Sequence, residues 1–142
     1  MILTQEVKDL ITKEFEFFKA QMYAGKTKEE RQKLGQFFTP ADISIQMIER
    51  FDCDSLAGKK ILDPACGSGN LLAACLLAGA DPDKVFGNDY DPIMVIECRK
   101  RLQRLNPKVR SWQIHHGDAT DPECLEFSPK YVYPKFEQIS LF

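Results

Sequence analysis

The sequence predicts an α/β protein: a parallel sheet layered between helices in a three-layer sandwich, with a helical extension in front of it. Three observations carry that expectation. Short apolar runs of strand length alternate with longer runs of helical periodicity. Each strand candidate ends in glycine or aspartate, followed by a helix start signal or a polar turn. The order helix, strand, helix, strand, helix, strand implies parallel pairing through right-handed crossovers.

The elements follow in order. Leu3, Val7, Leu10, Ile11, Phe15, Phe18 and Met22 recur at spacings of three and four, so residues 3–24 read as an amphipathic helix. Its aromatic stripe suits core packing, with a docking helix for a partner as the alternative. Lys26 to Lys33 is polar, follows Gly25, and reads as a linker or frayed helix end. That divides the chain into 1–33, helix and linker, and 34–142, the α/β unit. Thr39 is the expected N-cap of the next helix, with Pro40 at its first position and Asp42 in its first turn, running to about Arg50. Lys60 to Asp63 reads as a buried strand and Asn70 to Ala78 as a helix stopped by Gly79. Val85 to Asn88 is a second strand. Asp91-Pro92 opens a helix to about Leu105, closed by Asn106-Pro107. Trp112 to His115 is the third strand, ended by Gly117-Asp118. Beyond Asp121-Pro122 the pattern weakens: Pro129 and Pro134 interrupt it, and Phe136 to Phe142 reads as one last edge strand.

At 142 residues the chain fits one domain, with 44% apolar and 28% charged residues, ordinary for a globular protein. A net charge of -2 makes it no electrostatic attractor for nucleic acid, so any DNA contact is weak or indirect, through a local patch or a partner. Arg99-Lys100-Arg101 with Arg104 reads as a solvated helix face rather than a phosphate track. Cys53, Cys66, Cys75, Cys98 and Cys124 form no C-x-x-C pair and no zinc spacing, which suits reduced thiols in a cytoplasmic protein. Glu6, Lys8 and Asp9 exclude a signal peptide, and no apolar run approaches the ~20 residues of a membrane span.

In open α/β sheets, ligands bind beyond the carboxyl ends of the strands. The first strand here ends in Asp63-Pro64-Ala65-Cys66-Gly67-Ser68-Gly69, a turn whose glycines let backbone approach a ligand and whose carboxylate can accept from an ammonium group. The second ends in Asp89, roughly 20 residues after Gly69, where an acid takes a ribose diol in nucleoside-binding folds. The third ends in Gly117-Asp118-Ala119, offering Asp118 to an exocyclic amine. Together they indicate a nucleoside ligand. A dinucleotide fingerprint wants a third glycine where Leu72 stands, and Asp63 would repel a pyrophosphate but welcome a sulfonium or ammonium. Electrostatics thus favours S-adenosylmethionine over NAD.

Gly35-Gln36-Phe37-Phe38-Thr39-Pro40, Asp63 through Leu72, Gly87-Asn88-Asp89-Tyr90-Asp91-Pro92 and His116-Gly117-Asp118-Ala119 resemble, in order and spacing, the cofactor half of adenine-N6 DNA methyltransferases. The likeness is strongest to the modification subunits of type I restriction systems and covers about residues 34–121. It implies a Rossmann-like methyltransferase fold, truncated, that binds S-adenosylmethionine or S-adenosylhomocysteine. Phe38, Thr39 and Pro40 would meet the methionine carboxylate; Asp63, with the backbone of Ala65, Gly67 and Gly69, would hold the ammonium. Asp89 would take the ribose hydroxyls, Tyr90 would pack on the adenine ring, and Asp118, next to Ala119, would accept from the adenine amine. The plainer alternatives are core packing for Tyr90, packing for Phe37 and Phe38, and strand-end and turn roles for His115 and His116.

The family continues to a fourth strand ending in Asn/Asp-Pro-Pro-Tyr/Phe, which holds the flipped base. No such tetrapeptide occurs in these 142 residues. The expectation is cofactor binding without catalysis by this chain alone, as a methyltransferase fragment. The alternatives are a stand-alone binding, regulatory or decoy protein, and a minimal methyltransferase completed by a partner. An open outer edge on the first strand predicts a homodimer or a partner subunit completing the sheet.

Overall fold

Three short strands, β1 (Ile61–Asp63), β2 (Val85–Asp89) and β3 (Ile114–His116), pair in parallel in the order β1-β2-β3. The register sets Ile61 against Val85, Asp63 against Gly87, Gly87 against Ile114 and Asp89 against His116, so the carboxyl ends lie side by side. The computed structural model describes residues 1–35 and 38–127; Phe37, Pro129, Pro134 and the expected strand Phe136 to Phe142 lie outside the described residues.

Five helices accompany the sheet among the described residues: α1 (Gln5–Tyr23), α2 (Lys28–Gly35), α3 (Ala41–Glu49), α4 (Asn70–Leu77) and α5 (Pro92–Leu105). Helix α4 links β1 to β2 and α5 links β2 to β3. Both crossovers step the same way across the sheet, and right-handed connections then place both helices on one face. Accordingly α4 packs on β1 and β2, α5 on β2 and β3, and the two on each other. Helices α1 and α3 extend this layer by packing on α4 and on one another. The expected third layer needs the chain to reverse direction across the sheet; among the described residues the opposite face carries no α-helix. Leu62 is 44% exposed there. Beside it Phe86, Trp112 and Phe127 line an open hollow of about 420 Å³.

The core lies between sheet and helices. Ile11, Ile48, Leu72, Cys75, Val85, Val95, Cys98, Leu102 and Ile114 are fully buried, each large apolar side chain contributing about 1.5–3 kcal/mol of burial. Close packing of α4 on β2 depends on Gly87, where an added Cβ would lie 2.9 Å from Leu72 Cδ1. The glycine that permits the approach thus sits on the strand, while the helix position that a dinucleotide fold would give to glycine is Leu72.

Several local expectations shift. Helix α1 is capped by the Thr4 hydroxyl, which accepts from the Val7 N–H at 3.2 Å, and it buries Ile11 and Phe18 on the expected face, with Leu3 buried just before the cap. Leu10 is 46% exposed instead, and Glu14 is buried among the aromatic stripe. The stretch expected as linker or frayed helix end forms most of a separate helix, α2, which runs on to Gly35: Thr27 Oγ1 accepts from the Glu30 N–H at 3.2 Å, with acids in its first turn and Lys33 in its last. At α3 the cap moves by one: Pro40, extended at φ -61° and ψ 155°, is the N-cap and Thr39 makes no capping bond. The third strand begins at Ile114, because Trp112 and Gln113 belong to a 3₁₀ turn (Ser111–Gln113). There the Gln113 side-chain amide donates to the carbonyls of Pro82 and Val85, both at 2.8 Å, serving as a surrogate backbone. The basic run on α5 is only in part a solvated face: Lys100 is exposed as expected, while the arginines on either side of it turn inward. Arg101 is 2% exposed and Arg99 donates to the Ile114 carbonyl, because both reach inward to polar partners distant in sequence.

Candidate functional site

The carboxyl ends of the three strands are knitted together by one side chain that sequence reasoning did not single out. Asn88, 1% exposed in β2, donates from Nδ2 to the carbonyls of Pro64 and Gly117, both at 3.1 Å, and accepts from Cys124 Sγ at 2.9 Å. It thereby holds the turn after β1 and the turn after β3 on either side of its own strand. A polar residue inside a strand buried on both sides was the available signal.

The turn after β1 closes on itself and on β2. The Asp63 carboxylate accepts from the Ala65 N–H at 3.1 Å, the Cys66 N–H donates to the Asn88 carbonyl at 2.8 Å, and the Gly67 N–H donates to Asp89 Oδ2 at 2.8 Å. Gly67 and Gly69 have φ of 54° and 89°, the left-handed region that glycine occupies without strain. A Cβ on Gly69 would also lie 2.7 Å from Cys98 Sγ, so α5 packs directly against this turn. The second Asp89 oxygen accepts from the Asp91 N–H at 2.9 Å, which orients the carboxylate at the strand end. Past β3, Asp118 is exposed and one of its oxygens accepts from the Thr120 N–H at 2.9 Å and hydroxyl at 2.7 Å, leaving Ala119 exposed in the same turn. His116 Nε2 lies 3.1 Å from the Tyr90 carbonyl, and the Tyr90 side chain, 77% exposed, is not core. His115 is buried on the sheet with its Nδ1 on the Cys124 carbonyl, a strand residue rather than a free base.

Among the described residues none of Asp63, Asp89 and Asp118 is in an ion pair. Burial pushes the Asp63 carboxyl above the ordinary carboxylate value and the neighbouring Asp89 charge adds to it, against the lowering by the Ala65 N–H. Hydrogen bonds from the Thr120 hydroxyl and N–H hold Asp118 below that value. Three carboxylates without cations suit a ligand that brings positive charge and hydroxyl or amine donors; they do not suit a phosphate.

The other expected residues stand apart. Phe38, Thr39 and Pro40 line a cavity of about 350 Å³ with Phe15, Phe18 and Asn70. Phe38 meets Phe18 and Tyr23 edge-on at 6.1 and 6.2 Å, so it packs and lines at once. Asp63, Asp89, Tyr90 and Asp118 do not line this cavity. The link between the two groups is Asn70, which follows Gly69 directly and donates from Nδ2 to the Thr39 carbonyl at 2.9 Å.

The sequence matches the family described as N-6 DNA Methylase over residues 6–123, from within α1 to the turn after β3. The chain belongs to that family. This N-6 DNA methylase-family chain is 32% identical over 111 residues to the type I restriction enzyme MjaIX methylase subunit of Methanocaldococcus jannaschii, covering 73% of the chain and 18% of that protein. It is 40% identical over 58 residues to the type II methyltransferase M.BsuBI of Bacillus subtilis, 41% of the chain and 12% of that protein. Over 57 residues it is 40% identical to the ribosomal protein L11 methyltransferase of Pseudomonas aeruginosa, 40% of the chain and 19% of that protein. The chain therefore spans less than a fifth of the length of these curated relatives. No solved structure matches it significantly. Among the described residues no helix is long and apolar enough to cross a membrane.

Proposed function

We propose that this chain binds S-adenosylmethionine, or its product S-adenosylhomocysteine, at the carboxyl ends of β1, β2 and β3. It would do so as the cofactor-binding half of an N6-adenine DNA methyltransferase of a restriction-modification system, with a Rossmann-like fold. The observation that carries the reading is the set of carboxylates Asp63, Asp89 and Asp118, in no ion pair among the described residues, at adjacent strand ends whose turns are held by Asn88 and the Gly67 N–H. The cofactor supplies an electrophilic methyl group on a sulfonium. Asp63 and the backbone at Ala65, Gly67 and Gly69 hold the ammonium. The Phe38-Thr39-Pro40 stretch meets the amino-acid carboxylate, and Asp89 accepts from the ribose diol. Tyr90 covers the adenine ring, while Asp118, beside Ala119, accepts from its amine. Residues 34–142 form the cofactor-binding unit, and residues 1–33 brace it.

Methyl transfer needs a group that holds the target amine, and the 142 residues contain no Asn/Asp-Pro-Pro-Tyr/Phe tetrapeptide. We assign binding, without transfer, to this chain alone, in the cytoplasm, with DNA contacted through another subunit. A second reading, a unit completed by a second copy or partner subunit, is favoured by the outer edge of β1, which pairs with no strand among the described residues. Isothermal calorimetry with S-adenosylmethionine and S-adenosylhomocysteine tests the central claim. Binding of both is expected; binding of neither at millimolar concentration overturns it.

A further inference from the structure

A polar relay crosses the apolar wall between α1 and the glycine turn. Glu14 of α1 accepts from Arg101 Nε at 3.0 Å and from Arg104 Nη2 at 2.5 Å. Arg101 Nη1 in turn donates to Asn70 Oδ1, and Asn70 Nδ2 donates to the Thr39 carbonyl at 2.9 Å. Glu14, Asn70 and Arg101 are 8%, 7% and 2% exposed, so the middle of the relay is buried. The Arg101 guanidinium also lies over the rings of Phe18 and Phe15, 4.0 and 5.1 Å from their centroids, which fixes its plane.

We propose that Asn70 is a positioning residue for the amino-acid end of the cofactor, with Arg101 and Glu14 fixing the direction of its amide. The proposal rests on the cofactor reading above. A guanidinium only donates, so the Asn70 oxygen must face Arg101 and the NH₂ is left for the Thr39 carbonyl. The amide cannot flip without setting donor against donor and acceptor against acceptor. One side chain therefore sets the separation between two stretches 31 residues apart, the glycine turn ending at Gly69 and the Phe38-Thr39-Pro40 stretch. The stretch is also tied to α3 through Pro40, whose carbonyl accepts from the Ser44 N–H at 3.0 Å, so Asn70 joins α3 and the glycine turn at this point.

Asn70→Asp tests this at nearly constant shape. The carboxylate still accepts from Arg101 but cannot donate to Thr39. Calorimetry on the purified chain should show S-adenosylmethionine binding weakened about three- to tenfold, one neutral hydrogen bond's worth. Binding of 5′-methylthioadenosine, which lacks the amino-acid end, should change by less than about twofold on the same grounds. Unchanged S-adenosylmethionine affinity, or equal weakening of both ligands, overturns the positioning role. Failure of the unaltered chain to bind either ligand removes the cofactor reading itself, and the proposal with it. Should Asn70→Asp fold too poorly to measure, Asn70→Ser, too short to reach both partners, takes its place with the same ratio expected.

Discussion

Gly69 turns the backbone at φ 89° with Cys98 Sγ 2.7 Å from where a Cβ would stand. Gly69→Ala therefore combines a left-handed alanine with a clash, and should lower stability by about 2–4 kcal/mol in urea denaturation. Adding Cys98→Ala should recover part of that loss; simple additivity would show that the two do not touch. Asp89 carries the second residue-scale prediction. Asp89→Ala should weaken S-adenosylmethionine binding by about 1.5–3 kcal/mol, the size of a charge-assisted hydrogen bond. No change by calorimetry would mean that the ribose is held elsewhere. Asp63 carries the third. Its folded-state carboxyl is raised above the ordinary 3.8, so the folded chain keeps that proton longer than the unfolded one. The stability contribution of this group is complete below the unfolded value and is lost as pH rises through the raised one. Affinity for an ammonium runs the other way and declines as pH falls through the raised value. Asp63→Asn should flatten that part of the pH profile; an identical slope would exclude Asp63 as the ammonium partner. The positions of Asp63, Gly69 and Asp89 at strand ends and in a turn were legible because the patterns that mark them are each written in a few neighbouring residues. Asn70 and Asn88 were not, because their partners lie 24 to 36 residues away.

Helix α1 was readable as an element from its period of apolar residues, and its Thr4 cap follows from local chemistry. What it touches was not readable. Glu14 pairs with Arg101, 87 residues later, with side chains 7% and 0% exposed. Arg99, Lys100 and Arg101 are consecutive and so fan around α5, and the run by itself does not say which arginine turns inward. Removing one partner of a buried pair leaves an uncompensated charge. Glu14→Ala should cost about 3–5 kcal/mol in chemical denaturation. Arg104 has a side chain 38% exposed and pairs with the same carboxylate. Arg104→Ala should cost less than about 1 kcal/mol. Equal losses would mean that the relay is not the feature anchoring α1.

At the scale of the molecule, the described sheet has helices on one face and an unpaired outer edge on β1. Leu62 is exposed on the other face, with Phe86, Trp112 and Phe127 half-buried beside it. An apolar face beside an open strand edge favours association. Sedimentation velocity over a range of concentrations should show self-association that Leu62→Lys suppresses. A monomer at every concentration, identical for both proteins, would sink the homodimer form of the completion idea and leave a different subunit as the partner.

The sequence by itself determined the alternation of strands and helices, the glycine turn, and the acids at three strand ends. Each is written in a window of a few residues, where periodicity and turn chemistry act. The tertiary structure decided how those windows meet. It put both crossover helices on one face because both steps run the same way, and moved Pro40 to the cap of α3. It separated the Phe38-Thr39-Pro40 cavity from the carboxylate cluster and joined them through Asn70. Those outcomes depend on buried hydrogen bonds between residues far apart in the chain, whose pairing only the folded packing selects.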